Sequence, residues 1–264
     1  MIGALGLSKA VIDAWRGETV RLAGADLQVP GTRRIRLSVV AGNLRMHRLL
    51  DRFVRPGATV VDVGANIGYN AIHAALLAGQ PGRVYAVEPT PDNLAVLRAN
   101  VAAASLANVV VAPVAAGRSA GTRDFFVRGA RSAVNSLFAE SCYAAVTEVL
   151  QVPVMPLDDL VDGGADVVKI DVEGAELDVL EGMPRLLRAR PAALIVEWHP
   201  TLQSMAGYAP DALPRWLLTR GFRVRAVSHA TERSLAAADI GHVTQRLLRL
   251  QRPVELLAAP PPFR

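Results

Sequence analysis

The sequence predicts a Rossmann-like α/β fold, a mostly parallel sheet with helices on both faces. Three observations carry that prediction. From residue 59 onward, Val-rich runs of strand length alternate with Ala/Leu-rich helical runs, the pattern of βαβ units. The strand runs are apolar almost throughout, as expected when helices cover both faces of a sheet. The first of them runs straight into a glycine loop that opens a helix.

The elements follow in order. Residues 1–50 read as an N-terminal segment with a helix at Ser8–Trp15 and short apolar-alternating stretches around Val20–Val29 and Arg34–Val40. Pro56-Gly57 ends the helix before the first strand. Strands are expected at Thr59–Val63, Arg83–Val87, Asn108–Ala112, Val167–Ile170, Ala192–Glu197 and Arg223–Val227. Helices are expected at Tyr69–Ala78, Pro91–Ala104, Ala175–Ala189 and Ala209–Arg220. Pro91 suits the first turn of its helix, where a missing N–H costs nothing, and Gly221 marks the stop of the last one. An insertion at about 121–155 breaks the rhythm and contains two short strands, Asp124–Arg128 and Val149–Val154. The main domain spans 51–258, and a Pro-rich tail covers 259–264.

Composition excludes several classes. Lys9 and Lys169 are the only lysines, so 27 of the 29 cationic residues are arginine. That bias reflects a GC-rich coding sequence and weakens the nucleic-acid reading that a pI near 10.0 invites. The arginines are scattered and aromatics reach only 5%, so no stacking platform is legible and no nucleic-acid partner is expected. Cys142 is the only cysteine, which rules out an intrachain disulfide. The N-terminus lacks the basic start and long apolar core of a signal peptide, and no run is long enough for a membrane span. The expected setting is cytoplasmic. Nothing in the sequence indicates an oligomeric state.

The glycine loop is Asp62-Val-Gly64-Ala65-Asn66-Ile-Gly68. Glycine lets backbone approach a ligand, and the helix that follows presents unpaired N–H groups to it. The second strand ends at Glu88-Pro89, 26 residues beyond Asp62, where an acidic side chain accepts both hydrogen bonds of a ribose diol. A dinucleotide fingerprint needs a glycine in the middle of the loop to admit a pyrophosphate. Asn66 occupies the middle of this loop instead. S-adenosylmethionine has no phosphate and carries an amino-acid zwitterion, which suits an aspartate and backbone groups better.

The runs VVDVGANIGYNA, VYAVEPTPDNLAVLRANV and KIDVEGAELDVLEGM resemble the three signature blocks of the FkbM family of class I methyltransferases, known mainly as O-methyltransferases. The resemblance covers roughly residues 55–200. It implies a seven-stranded sheet whose last strand, near Val254–Ala258, runs antiparallel. It supports Asp62, Gly64, Asn66 and Gly68, with Ala65 between them, and then Glu88 and Pro89, as cofactor residues. It also implies that Val114–Ala116, including Ala115, lies along the adenine.

The third block puts Asp171, Glu173 and Glu176 at the carboxyl end of the fourth strand, the edge where open α/β sheets bind ligands. Asp171 ends a buried strand aimed at the methyl donor and is counted with both cofactor and catalytic residues. Glu176 also reads as a simple helix cap, and Lys169 as the partner of a neighbouring acid. The fifth strand ends in Glu197-Trp198-His199, so one face presents a carboxylate and an imidazole. Methyl transfer needs donor and acceptor in line and a base for the acceptor hydroxyl. His199 has the ordinary pKa for that base, with Asp171 or Glu173 in its place as alternatives. Mg²⁺ held by Asp171, Glu173, Glu197 and His199 is an alternative arrangement, and the favoured one uses no metal. In the insertion, Ser132–Leu137 reads as an acceptor-contacting lid, with Asn135 and Ser136, together with Glu197, as substrate contacts. Arg128 and Arg131 beside it suit an acidic acceptor.

The leading reading is methyl transfer from S-adenosylmethionine to a hydroxyl of a small molecule such as a sugar, polyketide or lipid-type product. An NAD(P)-dependent oxidoreductase is disfavoured by Asn66 and by the lack of a Tyr-x-x-x-Lys pair. A non-catalytic nucleotide-binding protein stays open.

Overall fold

The computed structural model describes residues 19–22, 25–29, 33–129, 134–228 and 231–260. The expected helix at Ser8–Trp15, the loop residues Arg131 and Ser132, and the tail beyond residue 260 lie outside them. β1 (Thr19–Leu22) and β2 (Ala25–Gln28) pair as an antiparallel hairpin. The stretch 34–40, expected to alternate as a strand does, instead lies in α1 (Arg33–Phe53), which runs across the expected boundary at residue 50. Met46, Leu49 and Leu50 of α1 are spaced i, i+3, i+4 and are buried in the core.

β3 (Thr59–Val63), α2 (Tyr69–Ala78), β4 (Arg83–Val87), α3 (Pro91–Ala103) and β5 (Val109–Ala112) follow as the pattern predicts. β6 (Ala115–Ala116), β7 (Gly121–Val127) and β8 (Glu148–Met155) then make a separate sheet in the order β6-β8-β7. This is the insertion. The chain returns through α4 (Leu157–Leu160), β9 (Val167–Ile170), α5 (Glu176–Glu181), α6 (Pro184–Arg188), β10 (Ala193–Trp198) and α7 (Pro200–Met205). It finishes with α8 (Ala212–Thr219), β11 (Arg223–Val227), β12 (Glu232–Ser234), α9 (Ile240–Leu250) and β13 (Val254–Ala259).

The main sheet runs β12-β11-β13-β10-β9-β3-β4-β5, with β13 antiparallel to both neighbours. It has eight strands where seven were expected. The eighth, β12, is a polar three-residue return pairing with β11, too short to leave a periodic signal. The single helix expected at Ala175–Ala189 is two. Pro184 starts α6 and cannot continue a helix from before it. Gly182, at the break, lies so close to the insertion that an added Cβ would sit 2.0 Å from the Gly117 carbonyl oxygen.

Both faces of the sheet are covered. Val61, Val63, Val168 and Ile170 pack with Leu177 and Leu180 of α5 and Leu213 and Leu217 of α8. Val60, Val84, Ala86 and Val167 pack against α1 and the alanines Ala71, Ala74, Ala75 and Ala78 of α2. This explains the nearly unbroken apolar strands. The chain proceeds from β3 outward to β4 and β5, and later from β9 to β10 on the other side. The order therefore reverses between β3 and β9, and an open α/β sheet binds its ligand in the crevice at that point. No helix among the described residues is long and apolar enough to cross a membrane.

Candidate active site

Two sharp turns meet at that crevice, one leaving β3 and one leaving β9. Gly64 has φ +76, and a Cβ there would lie 1.9 Å from the Asp171 carbonyl oxygen. Asn66, at φ 51, takes the left-handed conformation that asparagine tolerates better than most residues. Its N–H donates to Glu88 Oε2 at 3.0 Å. The Thr90 N–H and Asn93 Nδ2 donate to Oε1 at 3.0 and 3.1 Å. Burial pushes the Glu88 carboxyl above its ordinary range, and these donors pull it back. The carboxylate thus joins the glycine loop to the end of β4.

Under the loop, Lys169 Nζ lies 3.0 Å from Asp62 Oδ1 and 3.6 Å from Asp171 Oδ2, and donates to the Gly64 carbonyl at 3.1 Å. Burial opposes charge on this lysine, but Asp62 and Asp171 outweigh it and shift its pKa upward. One buried cation therefore ties both turns together.

The β9 turn is unusual in its backbone. Glu173, which is not a glycine, sits at φ 57, followed by Gly174 at φ 110. Such strain persists only where the surroundings enforce it. Glu176 Oε1 accepts the N–H groups of Val172 at 3.3 Å and Gly174 at 3.1 Å, and Ser136 Oγ donates to the Glu173 carbonyl at 2.8 Å. Glu176 is therefore a structural cap of this turn.

Its carboxyl is pushed up to about 7, chiefly by burial, from an ordinary 4.5. A raised acid stabilises the fold while protonated. Its contribution is full below 4.5 and is lost as pH rises through 7. Glu176→Gln keeps the acceptor oxygen and never ionises, so its melting temperature should gain on the parent's from about pH 5 to about pH 8. A difference that stays flat with pH would refute this.

A cavity of about 500 Å³ opens over both turns. Gly64, Ala65, Asn66, Glu88, Pro89, Val114, Ala115, Asn135, Asp171, Glu173 and Glu197 all line it, as the sequence led us to expect. Asp171, Glu173 and Glu197 each offer an oxygen within 4.8 Å of the others. Burial first, and Asp171 second, raise both Glu173 and Glu197 well above the ordinary carboxylate range.

Four expected residues do not line the cavity. Asp62 is buried in its ion pair with Lys169. Gly68 backs onto Leu97, whose Cδ1 would lie 2.4 Å from an added Cβ. Ser136 is buried and spends its hydroxyl on the Glu173 carbonyl. His199 is 3% exposed, meets the Tyr143 ring edge-on at 5.6 Å, and has its pKa lowered by burial. It is part of the wall under the insertion and does not join the three carboxylates.

Part of the cavity lining was not legible in the sequence. Asn43 from α1 and Tyr69 and Asn70 from α2 also line the cavity, and the Tyr69 hydroxyl and Asn70 Oδ1 are buried with no hydrogen-bond partner among the described residues. Tyr69 and Asn70 directly follow the glycine loop, so their position was available as a signal. Asn43 lies in a helix without a motif.

A methyltransferase FkbM domain matches residues 62–224. The hexuronic acid methyltransferase AglP of Haloferax volcanii is 31% identical over 168 residues, 62% of this chain and 65% of that protein. The chain therefore spans less than two thirds of that relative's length. Among solved structures, a protein described as an rRNA methylase candidate from Clostridium thermocellum aligns at TM-score 0.51 with 12% identity, over 81% of this chain and 93% of that one. That likeness shows the fold alone. Methyltransferase FkbM from Methylobacillus flagellatus KT aligns at TM-score 0.47 with 18% identity, over 84% of this chain and 52% of that one.

Proposed function

The chain belongs to the FkbM methyltransferase family, and on that footing we propose that it transfers a methyl group from S-adenosylmethionine to a hydroxyl of a small, sugar-like acceptor. One observation carries the reading: the glycine loop, Glu88 and the carboxylates of Asp171, Glu173 and Glu197 line a single cavity at the sheet's switch point. The relative that acts on a hexuronic acid supports a sugar-like acceptor. S-adenosylmethionine, when bound, supplies a methyl carbon made electrophilic by its sulfonium.

Glu88 accepts the ribose hydroxyls, the Gly64–Asn66 backbone and Asp171 hold the amino-acid end, and Val114 and Ala115 flank the base. Glu173 takes the proton of the acceptor hydroxyl. Its Oε2 is buried with no partner among the described residues, its backbone is strained, and its raised pKa makes its ionised form a stronger base. With that proton on Glu173, the acceptor oxygen would be the nucleophile for the methyl group that bound S-adenosylmethionine would supply.

Glu173→Gln should lower turnover about a hundredfold or more while cofactor affinity holds. Retained turnover would move the base to another residue. A second reading has the cluster of Asp171, Glu173 and Glu197 hold Mg²⁺ through oxygen ligands, without His199. Full activity after exhaustive chelation would end it.

A further inference from the structure

The insertion wall of the cavity contains two buried donors with nothing to donate to. Arg128, just after β7, is 6% exposed, and Asn135 is 8% exposed; both line the cavity. Arg128 Nη1 donates to the carbonyls of Phe126 at 3.3 Å and Val134 at 3.2 Å, and Nη2 to those of Phe138 at 2.7 Å and Ala139 at 2.9 Å. Its Nε has no partner among the described residues. Asn135 Oδ1 accepts the Arg128 backbone N–H at 2.8 Å. That bond fixes the amide's orientation, because only the oxygen can accept, so Nδ2 is left as a donor. It too has no partner among the described residues.

A buried unsatisfied donor is costly, and a buried cation more so. The hydrogen bonds of this guanidinium go to neutral carbonyls, and no ion pair joins it within 4.0 Å among the described residues. Glu173 acts on it only through space. What completes such a site is an anion with two acceptor oxygens.

We propose that Arg128 Nε and Asn135 Nδ2 receive a carboxylate carried by the acceptor. The inference rests on the methyl-transfer reading and sharpens it to an acidic polyol. It sets anion recognition on the insertion wall and proton removal on the β9 turn, so the acceptor bears a carboxylate at one end and a reacting hydroxyl at the other. The cofactor also has a carboxylate, and the test separates the two sources. The Gly64–Asn66 backbone, where the amino-acid end of the cofactor is placed, is the separate polar place for that one.

The experiment is calorimetry on the full chain. S-adenosylhomocysteine is titrated first, then D-glucuronate or D-glucose into the protein saturated with it. Glucuronate should bind about tenfold or more tighter than glucose, the scale of one charge-assisted hydrogen bond. Asn135→Asp keeps the acceptor oxygen and removes the donor. It should weaken glucuronate about tenfold or more with S-adenosylhomocysteine affinity unchanged. Arg128→Lys, which keeps charge but loses the fork, should weaken it as well. Glucuronate binding no tighter than glucose would overturn the proposal without any variant. So would an Asn135→Asp variant that loses affinity for S-adenosylhomocysteine, because the donors would then serve the cofactor. If the parent protein fails to bind S-adenosylhomocysteine at all, the methyl-transfer reading itself falls.

Discussion

Replacing Glu88 with alanine should abolish measurable cofactor binding, with a loss of about a hundredfold or more in affinity for S-adenosylhomocysteine by calorimetry. Two separate losses add. The ribose diol loses a charged acceptor in a buried site, where such bonds are strongest. The three groups that now hold the carboxylate, the N–H groups of Asn66 and Thr90 and Asn93 Nδ2, lose the acceptor they share. The Asn66 bond matters most, because it is the side-chain tie between the glycine loop and β4. Without it, the loop that should lie along the cofactor is freed at its middle. Glu88→Gln is the informative companion. It keeps one acceptor oxygen but turns an amide N–H₂ toward a donor, so it should retain a fraction of the affinity that alanine loses. Near-normal affinity in the alanine variant would sink the ribose assignment.

What could be read in the sequence divides along a physical line. Local rules were legible: the apolar strands, the glycine loop, Pro91 at a helix start, and an acid at the end of β4. Each depends on residues within a few positions of one another. Features that depend on distant partners were less so. Alternation along the fifth strand suggests a common side for Glu197 and His199, but β10 ends at Trp198 and only Glu197 lines the cavity. Alternation cannot say that Tyr143, from the insertion, covers the imidazole and leaves the carboxylate open to the cavity. Asp62 stands in the loop motif, yet its partner is Lys169, more than a hundred residues on; the reading that Lys169 pairs with a neighbouring acid named the right kind of contact without the partner. The misread stretch at 34–40 lies in the part of the chain with no motif, and it forms the first turns of α1. Arg128 could be read as suiting an acidic acceptor, but in an arginine-rich chain nothing in the sequence distinguished it from Arg131. The four carbonyl partners of Arg128 are what set it apart.

The largest stability effect should come from Gly64→Ala. A methyl group there meets the Asp171 carbonyl oxygen at 1.9 Å, and that atom is backbone, so no rotamer change relieves the overlap. Neither side can retreat cheaply. The Gly64 and Ala65 N–H groups both donate to the Val87 carbonyl at 3.0 Å, and the Asp171 N–H donates to the Val63 carbonyl at 3.1 Å. Any shift also disturbs the bond from Lys169 Nζ to the Gly64 carbonyl, and with it the buried pair with Asp62. The left-handed φ of +76 adds its own cost of about 1–2 kcal/mol for an L-residue. Together these place Gly64→Ala in the range of about 4 kcal/mol or more, where single substitutions become diagnostic. Gly57→Ala separates the two contributions, because Gly57 has φ +84 but nothing within 4 Å of its added Cβ. It should lose only the conformational share, about 1–2 kcal/mol in urea unfolding. If the two variants unfold at the same urea concentration, close approach of the β3 and β9 turns is not what requires glycine at 64. The idea that the two turns are locked together as the floor of the site would then fail with it.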